Sequence, residues 1–190
     1  MDQYKEGQFR MDFENTGRAN RKRRIFLDTE TTGMSRATDR IVEVCAIEVD
    51  DDFNEIDSFH AFINPQRKVP WFVTRIHLDD KPIFSDIGRD LLLFLEGSEL
   101  WAHNMSFDAG MLNAEFARNR LPTLEKVDCR LNCTLQLARI TFPGQKNSLD
   151  ALLDRFAIDR SERRLHGAMI DTRLLVKVYQ NLVSYRTKTS

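Results

Sequence analysis

No stretch of about 18 consecutive apolar residues occurs in the chain, so no membrane-spanning helix is expected. The N-terminus lacks the apolar core of a secretory leader. Cysteine is scarce: Cys45, Cys129 and Cys133 are the only three. Cys129 and Cys133 stand four apart with no second Cys/His pair to complete a zinc site, so buried free thiols are expected. That usage fits a reducing compartment, and a cytoplasmic location is the expectation. Neither sign of charge is in excess, with 28 Lys+Arg against 29 Asp+Glu and a net charge of -1. Any basic surface for nucleic acid must therefore be local. Internal repeats and low-complexity runs are absent as well.

What remains is an ordinary globular composition, 42% hydrophobic and 30% charged over 190 residues, enough for one α/β domain with a real core. Residues 1–22 carry no clean period and read as a loosely ordered extension ahead of a domain over 23–186. Within "RKRR" at 21–24 two readings compete, a phosphate-contacting or targeting patch and a solvated lead-in, and the second is favoured. Strands are expected over 24–29, over 40–50, where Val42, Val44 and Ala46 alternate, and over 56–64 as a hairpin partner. "WFVTRIH" after Pro70 reads as a short helix or turn. A helix over 85–97 stops at Gly97, and a strand follows over 99–104. Next come a helix over 106–120 with Ser106 as N-cap, a short strand over 125–130, and the helix "NCTLQLARIT" ending near Pro143 and Gly144. "NSLDALLDRF" is a helix capped at Asn147 or Ser148, and a last helix covers 167–183. The order βββαβαβααα predicts a mixed sheet flanked by helices.

The stretch "IFLDTETTG" at 25–33 poses a question. A strand that begins as a buried apolar run ends in two carboxylates, Asp28 and Glu30, which face the same side. Such a pair repels itself and needs basic partners or a hard divalent cation. Strand one and the strand at 99–104 are expected to run parallel and end at one sheet edge, where ligands gather in open α/β sheets. His103, Asn104 and Asp108 lie just beyond that second end. Asp108 is either a partner for its helix dipole or a third acid of the same site. "DDD" at 50–52 falls at the opposite end and reads as a solvated turn. In "LHGAMID", His166 precedes a helix and Asp171 lies about one turn inside it; alone, a histidine there reads as a surface residue.

"DTETTG", "HNMSFDAGML" and "HGAMIDT" together resemble the three motifs of the DEDDh 3′–5′ exonuclease superfamily, whose members have a ribonuclease H-like fold. Within it, "FPGQKNSLDALLDRFAID" at 142–159 is similar to the epsilon proofreading subunits of bacterial DNA polymerase III. The resemblance spans roughly residues 23 to 181. It implies a mixed five-stranded sheet, three antiparallel strands first and then parallel ones. It implies that Asp28, Glu30, Asp108 and Asp171 hold two divalent cations, Mg²⁺ or Mn²⁺, and that His166 is the general base. It implies that Thr31, Met34, His103, Asn104 and Phe107 line the pocket of the terminal nucleotide, although Phe107 reads equally as core. The implied activity releases nucleoside 5′-monophosphates from single-stranded or frayed DNA 3′ ends in replication proofreading. The implied partners are a DNA 3′ end and a replicative polymerase subunit or sliding clamp. An exoribonuclease acting on RNA ends, or a recruiting subunit without catalysis, are the alternatives. Arg75 stands where the family tends to have glycine, and the stretch before Lys81 is short. Only 19 residues follow Asp171, where epsilon subunits continue into a polymerase-binding segment, so a trimmed chain or a stand-alone exonuclease is expected. Gln180 and Leu182 in "QNLVSY" are expected to continue the last helix rather than form a clamp-binding peptide.

Overall fold

A computed structural model of the chain describes residues 23–69, 76–161 and 167–189. Strands β1 (Arg24–Thr31), β2 (Ile41–Val49) and β3 (Glu55–Phe62) come first. They are followed by α1 (Phe84–Leu95), β4 (Glu99–Ala102), α2 (Met105–Arg118), β5 (Arg130–Cys133), α3 (Thr134–Thr141), α4 (Leu149–Arg155) and α5 (Ala168–Thr189). Among the described residues the expected order of elements is the observed one. The sheet order is β3-β2-β1-β4-β5. The first three strands pair antiparallel, and β4 and β5 run parallel to β1. The C-terminal ends of β1 and β4 therefore open on one edge.

β1 shows why its sequence reads as a continuous apolar run. Ile25 and Leu27 pack with Leu91 and Leu95 of α1 and with Met111, Leu112 and Phe116 of α2. Phe26 points to the other face, among Cys45, Ile47 and the α5 residues Leu175 and Tyr179. A strand covered on both faces has no polar side to alternate with. β2 is buried at every position for the same reason, so the expected alternation of Val42, Val44 and Ala46 carries no solvent face.

Several local expectations need correction. Residues 124–127 form a 3₁₀ turn rather than a strand, and β5 begins at Arg130. The Asn113 side chain accepts from Leu124 N at 2.9 Å, and Asp128 turns the chain in the left-handed region at φ 57°. Helix α2 starts at Met105 behind Asn104, itself left-handed at φ 83°, so Ser106 is not its cap. Arg23 and Arg24 are not a solvated lead-in. Arg23 pairs with Glu48 at 2.6 Å, and the Arg24 guanidinium lies 5.4 Å from the Phe53 ring centroid. Other expectations hold. Gly97, at φ +68°, ends α1; Ser148 accepts from Ala151 N; and Leu182 is buried within α5. Asp50 accepts from Asp52 N and Asn54 N in the hairpin turn at the far end of the sheet. The cysteines are free thiols, and burial pushes Cys45 up to about 12 and Cys129 to about 11. The N-terminal extension, most of "WFVTRIH" including Arg75, and His166 lie outside the described residues.

Helix α2 is fixed to the start of β2 by Glu115, which is fully buried. Arg40 donates to it through Nε at 2.6 Å and Nη2 at 3.1 Å, and Ile41 N donates at 3.3 Å. Glu115→Ala strands the Arg40 charge and an Ile41 N–H. The expected loss is about 3 kcal/mol in urea unfolding, the lower end for breaking a buried pair because Arg40 is one-fifth exposed. A loss under about 1 kcal/mol contradicts this role for Glu115.

Candidate active site

The alternation of β1 distributes the site over both faces of the sheet. Asp28 and Glu30 continue the line of Phe26 toward α5, and Asp171 in the first turn of α5 meets them there. One carboxylate oxygen from each of Asp28, Glu30 and Asp171 lies within 4.8 Å of the others. Thr29 faces the opposite way, toward α2. Its backbone N and its Oγ1 both donate to Asp108 Oδ1, at 3.1 and 2.8 Å. Asp108 thus reaches the strand end from the second helix layer. The strand ladder slips between Glu30 and Thr31, an irregularity of the kind that ends pairing beside functional sites.

The electrostatics follow from this crowding. Burial, then the charges of Asp108, Glu30, Asp171 and Glu43, hold the Asp28 carboxyl well above the usual carboxylate range. Burial pushes Asp108 up to about 7, against the Thr29 hydrogen bonds that pull it down. Oxygen donors under mutual repulsion are the donor set that hard divalent cations take, so the residues present fit Mg²⁺ or Mn²⁺.

The loop after β1 is built tightly. Asp39 accepts from Thr32 Oγ1 at 3.0 Å and from Ser35 N at 2.9 Å. A Cβ on Gly33 would stand 2.6 Å from Asp39 Oδ2, so only glycine fits without displacing that carboxylate. Thr31 Oγ1 donates to Gly33 O at 2.7 Å. Arg36 lies across Gly110 of α2 and donates to Ser106 O, and Arg118 donates to Arg36 O at 2.7 Å. Met34, 83% exposed, stands out from this anchored loop.

The remaining expected residues lie at the end of β4. Asn104 Oδ1 accepts from Ser106 Oγ at 3.2 Å, and Phe107 is half-buried against the core. His103 is engaged inward. Nδ1 lies 3.0 Å from Thr134 Oγ1 and Nε2 3.0 Å from Asn147 O, and burial lowers its pKa. Three of the four expected acids therefore converge directly, and the fourth is pinned beside them by Thr29. Sequence reasoning missed Thr29 and also Glu43, which sits across from Glu30 in the β1–β2 register. The antiparallel pairing was legible in the sequence, and its register would have exposed Glu43. A concavity of about 490 Å³ beside the β2–β3 hairpin, lined by Phe53, Glu55, Arg173 and Lys177 among others, shares no residue with the carboxylate cluster.

Raised carboxyl pKa values carry a sign. Asp108 in the folded chain titrates at about 7, above its unfolded value, so its protonated form is favoured on folding. Without metal, its contribution is fully present at pH below about 4 and is lost as pH rises through about 7. Thr29→Val removes a hydrogen bond to the ionised form and deepens that loss. The expected cost in metal-free urea unfolding is about 1.5–3 kcal/mol at pH 8, and less at pH 5. Equal costs at the two pH values contradict the assignment.

Comparison with known proteins gives a consistent result. A family profile described as Exonuclease matches residues 25–179. The DNA polymerase III subunit epsilon of Rickettsia conorii is 44% identical over 177 residues, covering 86% of this chain and 75% of that protein. The same subunit from Pasteurella multocida is 38% identical over 176 residues, covering 87% and 70%. Among solved structures, exonuclease X in complex with 5′ overhanging duplex DNA superposes with a TM-score of 0.62 at 26% identity, covering 85% of this chain and 91% of that one. A structure of exonuclease I superposes at 0.72 with 19% identity, covering 86% and 41%, which is a likeness of fold. Profile, relatives and fold agree, and the chain belongs to the 3′–5′ exonuclease family that includes the epsilon subunit of bacterial DNA polymerase III.

Proposed function

We propose that this exonuclease removes nucleotides singly from single-stranded or frayed DNA 3′ ends as a proofreader in the cytoplasm, with a replicative polymerase subunit or sliding clamp as its partner. The observation that carries the reading is the convergence of Asp28, Glu30 and Asp171 within 4.8 Å at the end of β1. Asp108, beside them, completes the set that would hold two divalent cations. Those cations, when bound, supply positive charge that neutralises the phosphodiester and lowers the pKa of a water.

The chain's own residues then divide the remaining work. The four carboxylates would hold the two cations at the strand end and so set where the scissile phosphate can bind. His166, next in sequence before Gly167 at the start of α5, takes the proton of the attacking water. Met34 stands out far enough to stack against the terminal base, and the anchored loop under it keeps that contact in place. Thr31, Asn104 and Phe107 border the same edge. His103 supports it from behind by tying the end of β4 to α3 and to the segment before α4. Relatives named as DNA polymerase III epsilon subunits support the replicative setting and the DNA substrate.

The test is digestion of matched DNA and RNA oligonucleotides labelled at the 5′ end, with Mg²⁺, with Mn²⁺ and with chelator. A descending ladder on DNA, lost with chelator, is expected. Asp28→Ala abolishes it while the chain stays folded, and near-normal turnover by that variant defeats the reading. His166→Ala lowers kcat by about 10²–10⁴ and removes the acid limb of the pH–rate profile at saturating Mn²⁺, with metal titration unchanged. Retention of that limb, or loss of metal binding, assigns the proton to another group.

A further inference from the structure

One buried acid beside the site has no part in the reading above. Glu43 on β2 is 7% exposed and is the direct partner of Glu30 in the antiparallel register. Opposed residues in such a pair emerge on the same face, so the two carboxylates share the α5 side of the sheet. Like charges directly opposite each other destabilise a sheet. Two contacts hold Glu43 there nonetheless. His60 on β3 places Nε2 at 2.8 Å from Glu43 Oε1, with its own ring edge-on to Phe62. On the other side, a Cβ built on Gly167 would stand 3.7 Å from Glu43 Oε2 and 3.9 Å from Oε1. Gly167 O accepts from Asp171 N at 3.0 Å and so opens α5. The Glu43 carboxylate therefore sits against the start of the helix that delivers Asp171, the end of the helix dipole that favours negative charge.

We infer that Glu43, held by His60, is a positioning residue for the divalent-cation site: it sets Glu30 from across the ladder and the first turn of α5 from below. Its role is to act through Glu30 and the Asp171 helix, not on the substrate itself. Its carboxylate lies one strand over from Glu30 and one contact from the start of the Asp171 helix. Support of this kind orients ligands that would otherwise turn away from one another, and its removal typically lowers metal affinity or activity by about 10–100-fold.

The inference rests on the proposed metal reading, and the experiment separates the two. Wild type, Glu43→Gln, Glu43→Ala, His60→Phe and Asp28→Ala are titrated with Mn²⁺ alone, by calorimetry and by thermal shift, without nucleic acid. Steady-state kinetics on a 5′-labelled single strand follow. Glu43→Gln is expected to bind Mn²⁺ about 10–100-fold more weakly, with an unchanged or higher Tm without metal because one like charge opposite Glu30 is gone. KM for the strand at saturating Mn²⁺ stays at the wild-type value. His60→Phe, which leaves Glu43 unpinned, moves metal affinity in the same direction by less. Wild-type Mn²⁺ affinity in Glu43→Gln overturns the inference when Asp28→Ala has lost binding. So does a metal-free Tm that falls as far in Glu43→Gln as in Glu43→Ala with metal affinity intact, the mark of a packing role alone. Retained Mn²⁺ binding in Asp28→Ala overturns the metal reading itself, and this inference with it.

Discussion

Repulsion between carboxylates at the end of β1 is the constraint around which the rest of the chain is arranged. Asp28 and Glu30 emerge on one face, and each helix layer brings a further acid to the same place. In a metal-free chain this arrangement works against folding near neutral pH, because burial and neighbouring charges raise the Asp28 carboxyl well above the usual carboxylate range and Asp108 to about 7. The core must therefore supply the stability that the site consumes. It does so with two apolar layers clamped on a strand with no exposed face, Ile25 and Leu27 on one side and Phe26 on the other. The buried Arg40–Glu115 pair and the Arg36 and Arg118 contacts then fix α2, and so Asp108, to the strand it must approach.

That geometry accounts for how function follows from fold. A sheet with β4 parallel to β1 opens both strand ends on one edge, and the single-residue alternation of β1 decides which helix serves which face. Thr29 is the link between the layers. It belongs to the core face, yet its N–H and hydroxyl reach Asp108 and keep it beside Asp28. An open edge suits a reaction at a chain end, since the terminal nucleotide needs room to leave the stack, whereas an enclosed cavity would not admit the strand behind it.

Much of this was legible in the sequence, for physical reasons. Asp28 and Glu30 break an apolar run at spacing two, Gly97 and Ser148 mark helix ends, and the order of periods gives a mixed sheet. What was not legible depended on tertiary partners. The segment over 125–130 reads from the sequence as a short strand, yet Leu124–Val127 form a 3₁₀ turn and only Arg130 joins β5. Its fate was decided by the Asn113 side chain and by the left-handed turn at Asp128. Arg23 and Arg24 looked solvated because their partners, Glu48, Phe53 and Tyr179, come from distant elements. His103 is placed in the nucleotide pocket by the family resemblance alone; that its ring nitrogens meet Thr134 and Asn147 is something no local pattern announces.

Folding of the metal-free chain stores carboxylate repulsion that a bound divalent cation would relieve, and the thermal midpoint of the wild-type chain across pH 5 to 9, with and without saturating Mn²⁺, tests this most directly. Without metal the midpoint should fall as pH rises through about 7, where Asp108 is forced to ionise. With Mn²⁺ the trend should reverse over the same window, because the ligands must be deprotonated to bind. Parallel curves, with Mn²⁺ changing neither the midpoint nor its dependence on pH, would contradict the account.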